Sequence, residues 1–417
     1  MTSNSKKSAF MALFICWAFY LYVYVIRMEP SVLANNLMGE FNITASTFGA
    51  IVSMTYLPYV LMQIPCGVII DKVGSRTMVI VSGVLLTLGA FMFGLADSVT
   101  QLKVSRLIIG LASAAGFLCC GKVITDLFPV SKHSMLFGIA MFMGCFGGIV
   151  GAAPTACMVT AIGWRYTTYG LAVVGIIIAA IAMLYMRRDT EDDTAEPTDK
   201  RSVVEGIKLL VKNPQAWILG LYGALSYLPL GALAELWIVP FAERRFSIST
   251  EQAAIAPIFI LVGFGLGGLI GAWVAEKINS YKKTIVWFTA STIFLFWVAL
   301  NNDSIGFYTC LTLLFLGGIG AGTDTVAFAM IHKCVPAGFG GTSSGFLNSV
   351  LMSSALIFQP LLGRLLDFSR NGATNSDGTP LYTVDMFRSS FLFFIAALVV
   401  SVVAALFVKE NPVARSK

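Results

Sequence analysis

The sequence predicts an all-helical membrane protein of twelve spans in two six-helix halves, and three observations predict it. The 417-residue chain is 57% hydrophobic and only 12% charged, about half the roughly 25% charge usual in soluble domains. Its mean hydropathy is +0.81. The apolar residues number about 238, close to what twelve spans of roughly 20 residues require. The third observation is a charged stretch, Arg187–Arg201 (RRDTEDDTAEPTDKR), that divides the apolar runs six and six. This composition excludes a water-soluble enzyme, a nucleic-acid binder and a disordered chain. The net charge of +6 does not argue for nucleic acid, because the basic residues flank apolar spans.

The first run follows Lys6 and Lys7 and extends to about Ile26. It is too long for a secretory h-region and no small-residue cleavage site follows, so it reads as an uncleaved span. Further spans are expected at about 45–70, 77–96, 100–127, 135–161 and 168–186, then at 216–238, 252–275, 283–300, 305–331, 343–366 and 386–408. The expected organisation is therefore a first bundle at 1–186, a cytoplasmic linker at 187–215 and a second bundle at 216–417. Within the linker, Ser202–Lys212 reads as a short amphipathic surface helix. Lysines and arginines fall 18 to 7 in favour of the loops on the side of the termini, which places both termini in the cytoplasm of a multi-pass inner-membrane protein. The eight cysteines show no C-x-x-C spacing, so no metal site is expected. His133 and His332 fall at helix ends.

The loop after the second span carries the most specific pattern. Gly67, Asp71, Lys72, Gly74 and Arg76 resemble the major facilitator loop motif G-x-x-x-D-[RK]-x-G-[RK]-[RK], departing from it at Ser75. Arg106 and Gly110 resemble that family's R-x-x-x-G motif in the fourth span. Gly138, Gly147 and Gly151 fit the start of its antiporter motif, but Ala152 stands where proline should follow, and small-residue helix packing accounts for them as well. The first span, with Arg27, Pro30 and Ser31, is similar to a bacterial subgroup with an arginine-x-x-proline-serine element. Asp71 and Glu276 lie 205 residues apart, about half the chain, which supports a duplicated architecture. The chain is thus identified as a member of the major facilitator superfamily. The resemblance implies alternating-access transport without cofactor. It also implies a central cavity lined by spans one, four, seven and ten.

Gly263–Gly268 contains G-x-G-x-x-G, but inside an apolar span it lacks the strand and helix opening that a dinucleotide loop needs. No nucleotide-binding P-loop is present.

Ionised residues inside spans are functional candidates by default, because hydrocarbon disfavours them. Arg27 and Glu235 lie 208 residues apart, Lys122 and Asp324 202 apart, so each pair matches the repeat. The reading is that Arg27–Glu235 joins when the outside is shut and Lys122–Asp324 when the inside is shut. Glu235 and Asp324 are the expected proton-coupling residues. A simpler role for Lys122 is an ion pair with Asp126 one turn away. Glu29 is expected to satisfy Arg106, since about 200° of helix rotation separates it from Arg27. Further substrate-binding or gating candidates are Tyr56, Tyr59 and Gln63 on one helix face, with Tyr227, Trp237 and Asn348; Tyr20, Tyr24, Tyr222 and Gln359 are weaker. The expected function is proton-coupled uptake, as a monomer in the lipid bilayer, of an amino acid, short peptide or other small carboxylate. The alternatives are a proton-driven exporter of a drug or siderophore-like anion, and a non-transporting membrane receptor.

Overall fold

The computed structural model describes residues 3–186, 200–336, 339–375 and 380–410. The charged part of the expected linker, 187–199, lies outside the described residues. Apart from one isolated bridge between Thr374 and Pro380, the described residues form helices and their connections.

Among the described residues, eleven helices are long and apolar enough to cross a membrane. One of them, Ala45–Gly94, has 50 residues, about 75 Å at 1.5 Å per residue, more than twice a bilayer core of about 30 Å. Gly74 breaks it, with φ 77° and ψ 161°, a conformation open to glycine and strained for a residue with a Cβ. Two spans therefore occupy this segment, and twelve result. Span 1 is Ser3–Glu40, spans 2 and 3 are 45–73 and 75–94, and span 4 is Val99–Leu127. Span 5 is Met135–Ile162, span 6 Trp164–Tyr185, span 7 Pro214–Phe246 and span 8 Thr250–Lys277. Span 9 is Tyr281–Asn301, span 10 Phe307–Cys334, span 11 Gly341–Arg370 and span 12 Val384–Phe407. The short helix before span 7 covers Lys200–Lys212, two residues earlier than expected.

Successive spans run in opposite directions, so the bundle has a near end, where span 1 begins, and a far end, where it finishes. Side chains close several helix starts by accepting orphan backbone N–H groups. Ser98 accepts from Gln101, Asn213 from Gln215 and Ser280 from Lys283. Ser249 and Gln252 form a reciprocal capping box at span 8.

Spans 1 and 7 exceed their expected lengths because a hydropathy reading stops near a charge, whereas the helix does not. Span 1 continues through the buried Arg27 and Glu29 and through Pro30, and span 7, expected to end at 238, continues through the less buried Glu243, Arg244 and Arg245 to Phe246. Span 7 also changes winding, forming a π-helical stretch over Pro229–Trp237, an arrangement frequent at functional sites.

Each half packs through close helix approaches. A Cβ on Gly110 would lie 1.9 Å from the Thr55 carbonyl oxygen, so the glycine of the R-x-x-x-G motif is a contact point between spans 4 and 2. The span 5 glycines serve span 1 in the same way, Gly147 against the Leu21 carbonyl and Gly151 against that of Val25. Between the halves, spans 1 and 7, 2 and 11, and 5 and 8 pack together.

Gly110→Ala places a methyl group against backbone that has no room to yield. We expect loss of most monodisperse protein in fluorescence-detected size exclusion, with a clearly lowered melting temperature in what remains. Gly39→Ala, where nothing lies within 4 Å, leaves both unchanged.

Candidate functional site

Arg27 occupies the far half of span 1, 4% exposed, and Glu235 faces it from the π-helical stretch of span 7, 1% exposed. Their Nη2 and Oε1 atoms are 2.8 Å apart. Leaving either charge buried alone would cost several kcal/mol, so the pair ties the two halves together. The same Nη2 donates to the hydroxyls of Tyr56 and Tyr227, each at 3.2 Å. The guanidinium also lies over three rings, 4.6 Å from the centre of Tyr24, 5.3 Å from Tyr56 and 5.7 Å from Tyr59. Spans 1, 2 and 7 therefore build one aromatic cage around one cation.

The cage keeps unused donors. Arg27 Nε is buried without a hydrogen-bond partner. Gln63, one turn beyond Tyr59, accepts from Asn348 Nδ2 at 2.9 Å through its Oε1, while its Nε2 is buried and unpartnered. Nearby, Tyr20 donates to Tyr24 at 3.5 Å.

A latch at the far end seals this site. Tyr382 accepts from the Ala45 backbone N–H at 2.8 Å and donates to Asp367 at 2.6 Å. Asp367 in turn accepts from the backbone N–H groups of Ala45 and Ser46 at 3.2 and 3.0 Å. A carboxylate from the second half thus caps the first turn of span 2, where the helix dipole favours negative charge. Asn35 donates to Glu243 at 2.8 Å, joining spans 1 and 7. Trp237 donates to the Gln359 carbonyl at 3.1 Å and meets Phe48 edge-on, which makes it packing behind the cage rather than part of it. Asp367 and Tyr382 escaped the sequence reading because an acid near a helix end ordinarily reads as wet.

The near-end arrangement differs from the expected one. Lys122 pairs with Asp126 at 2.9 Å and with Asp71 at 3.3 Å, not with Asp324. Both acids lie on its own side of the molecule and are partly exposed, so solvent weakens these pairs. Asp71, the acid of the loop motif, thereby joins spans 2 and 4, and Arg76 donates to the Met183 carbonyl at 2.8 Å, joining spans 3 and 6. Lys72 is exposed and Gly67 has no neighbour within 4 Å of a Cβ position. Asp324 is buried inside the second half, where span 10 meets spans 7, 8 and 9, and its Oδ1 has no hydrogen-bond partner.

Arg106 is fully buried. Its Nη2 stands 3.6 Å from Glu29 and its Nη1 donates to the Ile26 carbonyl at 3.1 Å. The guanidinium lies 4.2 Å from the centre of the Phe93 ring, and Thr168 donates to Glu29 at 2.5 Å. Spans 1, 3, 4 and 6 share this second pair, which locks the turn of span 1 that carries Arg27.

The Major Facilitator Superfamily model matches residues 8–360. The chain belongs to that superfamily. It is a multi-pass membrane transporter rather than an enzyme. A nitrite extrusion protein of Bacillus subtilis is 25% identical over 323 residues, covering 75% of this chain and 77% of its own. A probable sulfoacetate transporter of Cupriavidus necator is 23% identical over 424 residues, covering 91% and 96%. Among solved structures, a bacterial homologue of the human lysosomal transporter Spinster, inward-facing and unoccupied, superposes with a TM-score of 0.79 at 16% identity, covering 99% of this chain and all of its own. Twelve spans in two bundles is the fold this facilitator shares with it.

Glu29→Ala leaves the Arg106 guanidinium buried without its carboxylate, a change worth about 3–5 kcal/mol. A large fall in melting temperature is expected in a detergent thermal-shift assay. The double variant Glu29→Leu with Arg106→Met recovers part of that loss. Equal melting of wild type and Glu29→Ala would show that the pair does not hold span 1.

Proposed function

We propose that this transporter moves a small anion, with a carboxylate or oxyanion group, and that Arg27 is its anchor. The observation that carries this reading is the cage itself. A single buried guanidinium stands among tyrosine hydroxyls and rings, with Arg27 Nε and Gln63 Nε2 left over as donors. Guanidinium donors match a planar oxyanion in geometry and charge. The two relatives above are named for nitrite and sulfoacetate, both anions. Of the solutes expected from sequence, the small carboxylate is carried forward. An amino acid or short peptide needs an acid for its ammonium group, and the acid in the cage is already paired with Arg27.

Glu235 then acts as the occupant the substrate must replace. With Arg27 bound to Glu235 the site is neutral and dry, and the far-end latch is closed. An arriving anion would add a second negative charge beside one cation. A proton on Glu235 removes that conflict, releasing Arg27 to the substrate and leaving the site neutral again. Coupling of one proton to one monovalent anion follows from charge balance in a buried site. With both termini cytoplasmic, as the lysine and arginine distribution supports, the far end is periplasmic. The closed latch then corresponds to an inward-facing state.

The test uses purified protein in proteoliposomes with sulfoacetate, nitrite and alanine as probes. At least one anion should raise the melting temperature and accumulate under an inward proton gradient, while alanine does neither. Arg27→Lys, which replaces a planar fork by a point charge, should weaken anion binding by tenfold or more. Glu235→Gln should lose gradient-driven accumulation while keeping counterflow exchange. Unchanged anion affinity in Arg27→Lys would remove the anchor role. Accumulation driven only in inside-out vesicles would assign export.

A further inference from the structure

A second polar cluster lies apart from the Arg27 cage, inside the second half. Tyr222 and Ser226 project from successive turns of span 7, Thr289 from span 9, and Thr323 and Asp324 from the short 3₁₀ turn that interrupts span 10. Tyr222, Thr289 and Asp324 each stand about nine residues, roughly 13 Å, from the near end of their spans. All five residues are buried, Asp324 at 2% exposure and the other four at zero.

The cluster is chemically unfinished. The Tyr222 phenol faces the hydroxyls of Thr323, Thr289 and Ser226 and lies close to Asp324. Even so, Tyr222 Oη, Ser226 Oγ, Thr289 Oγ1 and Asp324 Oδ1 are all buried without a hydrogen-bond partner. Thr323 has already given its proton to the Gly320 carbonyl, 2.7 Å away, so its oxygen has only lone pairs to offer. Native interiors leave only a few such atoms per hundred residues, and here four fall in one cluster.

Neither charge state of Asp324 satisfies the whole cluster. Ionised, it is a buried anion that accepts from the Thr325 backbone N–H but leaves Oδ1 without a partner, a costly arrangement without a counter-charge. Neutral, it can give its proton to a neighbouring lone pair, but the Tyr222, Ser226 and Thr289 hydroxyls are still unmatched. A water molecule would supply hydrogen bonds but no charge. A small hard cation answers both needs. It takes oxygen ligands only, it cancels the carboxylate, and hydroxyl oxygens coordinate it through their lone pairs. One carboxylate among neutral oxygens balances a single positive charge, which favours a monovalent ion over Mg²⁺ or Ca²⁺, whose protein sites usually draw on more carboxylates.

We propose that Tyr222, Ser226, Thr289, Thr323 and Asp324 form a sodium-binding site within the second half, separate from the anion cage. Its ligands come from spans 7, 9 and 10, so a bound ion would draw together three helices, one of which also carries Glu235. The proposal does not depend on the identity of the transported solute, and its test uses none.

Purified full-length protein is melted in NaCl, KCl and choline chloride at equal ionic strength, and ²²Na⁺ binding is measured by scintillation proximity. Sodium should raise the melting temperature of wild type by roughly 3 °C or more over choline, with saturable ²²Na⁺ binding. Thr289→Val keeps shape and removes one ligand, so it should weaken sodium half-saturation by at least tenfold. Asp324→Asn should abolish binding while melting in choline no lower than wild type, because it removes an uncompensated charge. Equal melting in the three salts with no ²²Na⁺ binding overturns the proposal. Melting that follows pH but not sodium overturns it too, in favour of a proton on Asp324. If anion transport fails in every assay while sodium still binds, the substrate reading falls and this site stands.

Discussion

The Arg27–Glu235 contact is the constraint on which the rest of the structure depends. Two ions withdrawn from water cost several kcal/mol each unless geometry and further hydrogen bonds offset that cost. The offset comes from three directions. Tyr56 and Tyr227 receive hydrogen bonds, Tyr24 and Tyr59 offer ring faces, and the far-end latch keeps water out. Because the two ions belong to different halves, the contact exists only while those halves are closed against each other at that end. Packing, charge pairing and conformational state are therefore a single condition.

Span 1 meets this condition because of what lies behind it. Arg27 and Glu29 point to different sides of the helix. One faces the second half, while the other faces Arg106 and Thr168 within the first. The inner pair anchors the turn from which Arg27 projects, and the Gly147 and Gly151 contacts let span 5 lie close along the same helix. A rigid carrier helix of this kind allows a cation to be presented at a fixed depth while the opposite bundle moves. The π-helical stretch in span 7 has the complementary role. Its wider winding re-aims Glu235, and Gln359 Nε2 donates to the Gly231 carbonyl within it at 2.7 Å.

The two ends of the molecule are unlike. At the far end, carboxylate, phenol and backbone amides from both halves share hydrogen bonds. At the near end, Lys122, Asp71 and Asp126 satisfy one another within the first half and remain partly exposed. Asp324, its repeat-related counterpart, is turned into the second bundle among hydroxyls. The charges of spans 4 and 10 thus sit in unlike surroundings.

Twelve spans, two halves, the loop motif and the shortlist of intramembrane ions were legible from the residues. Hydropathy and charge spacing along a chain record directly what a bilayer tolerates. That Glu29 and Arg27 need separate partners was also legible, since helical rotation alone separates them. The pairing of Arg27 with Glu235 could be argued from the repeat, but the same argument joined Lys122 to Asp324, which this structure keeps apart. Only the tertiary structure decided between these equal claims. It alone gathered Asp367 and Tyr382 into a latch and set three unpartnered oxygens around that of Tyr222. Sequence determines which charges must be buried, because solvation is a property of each residue. Their partners depend on distances between helices far apart in the chain, which packing alone sets.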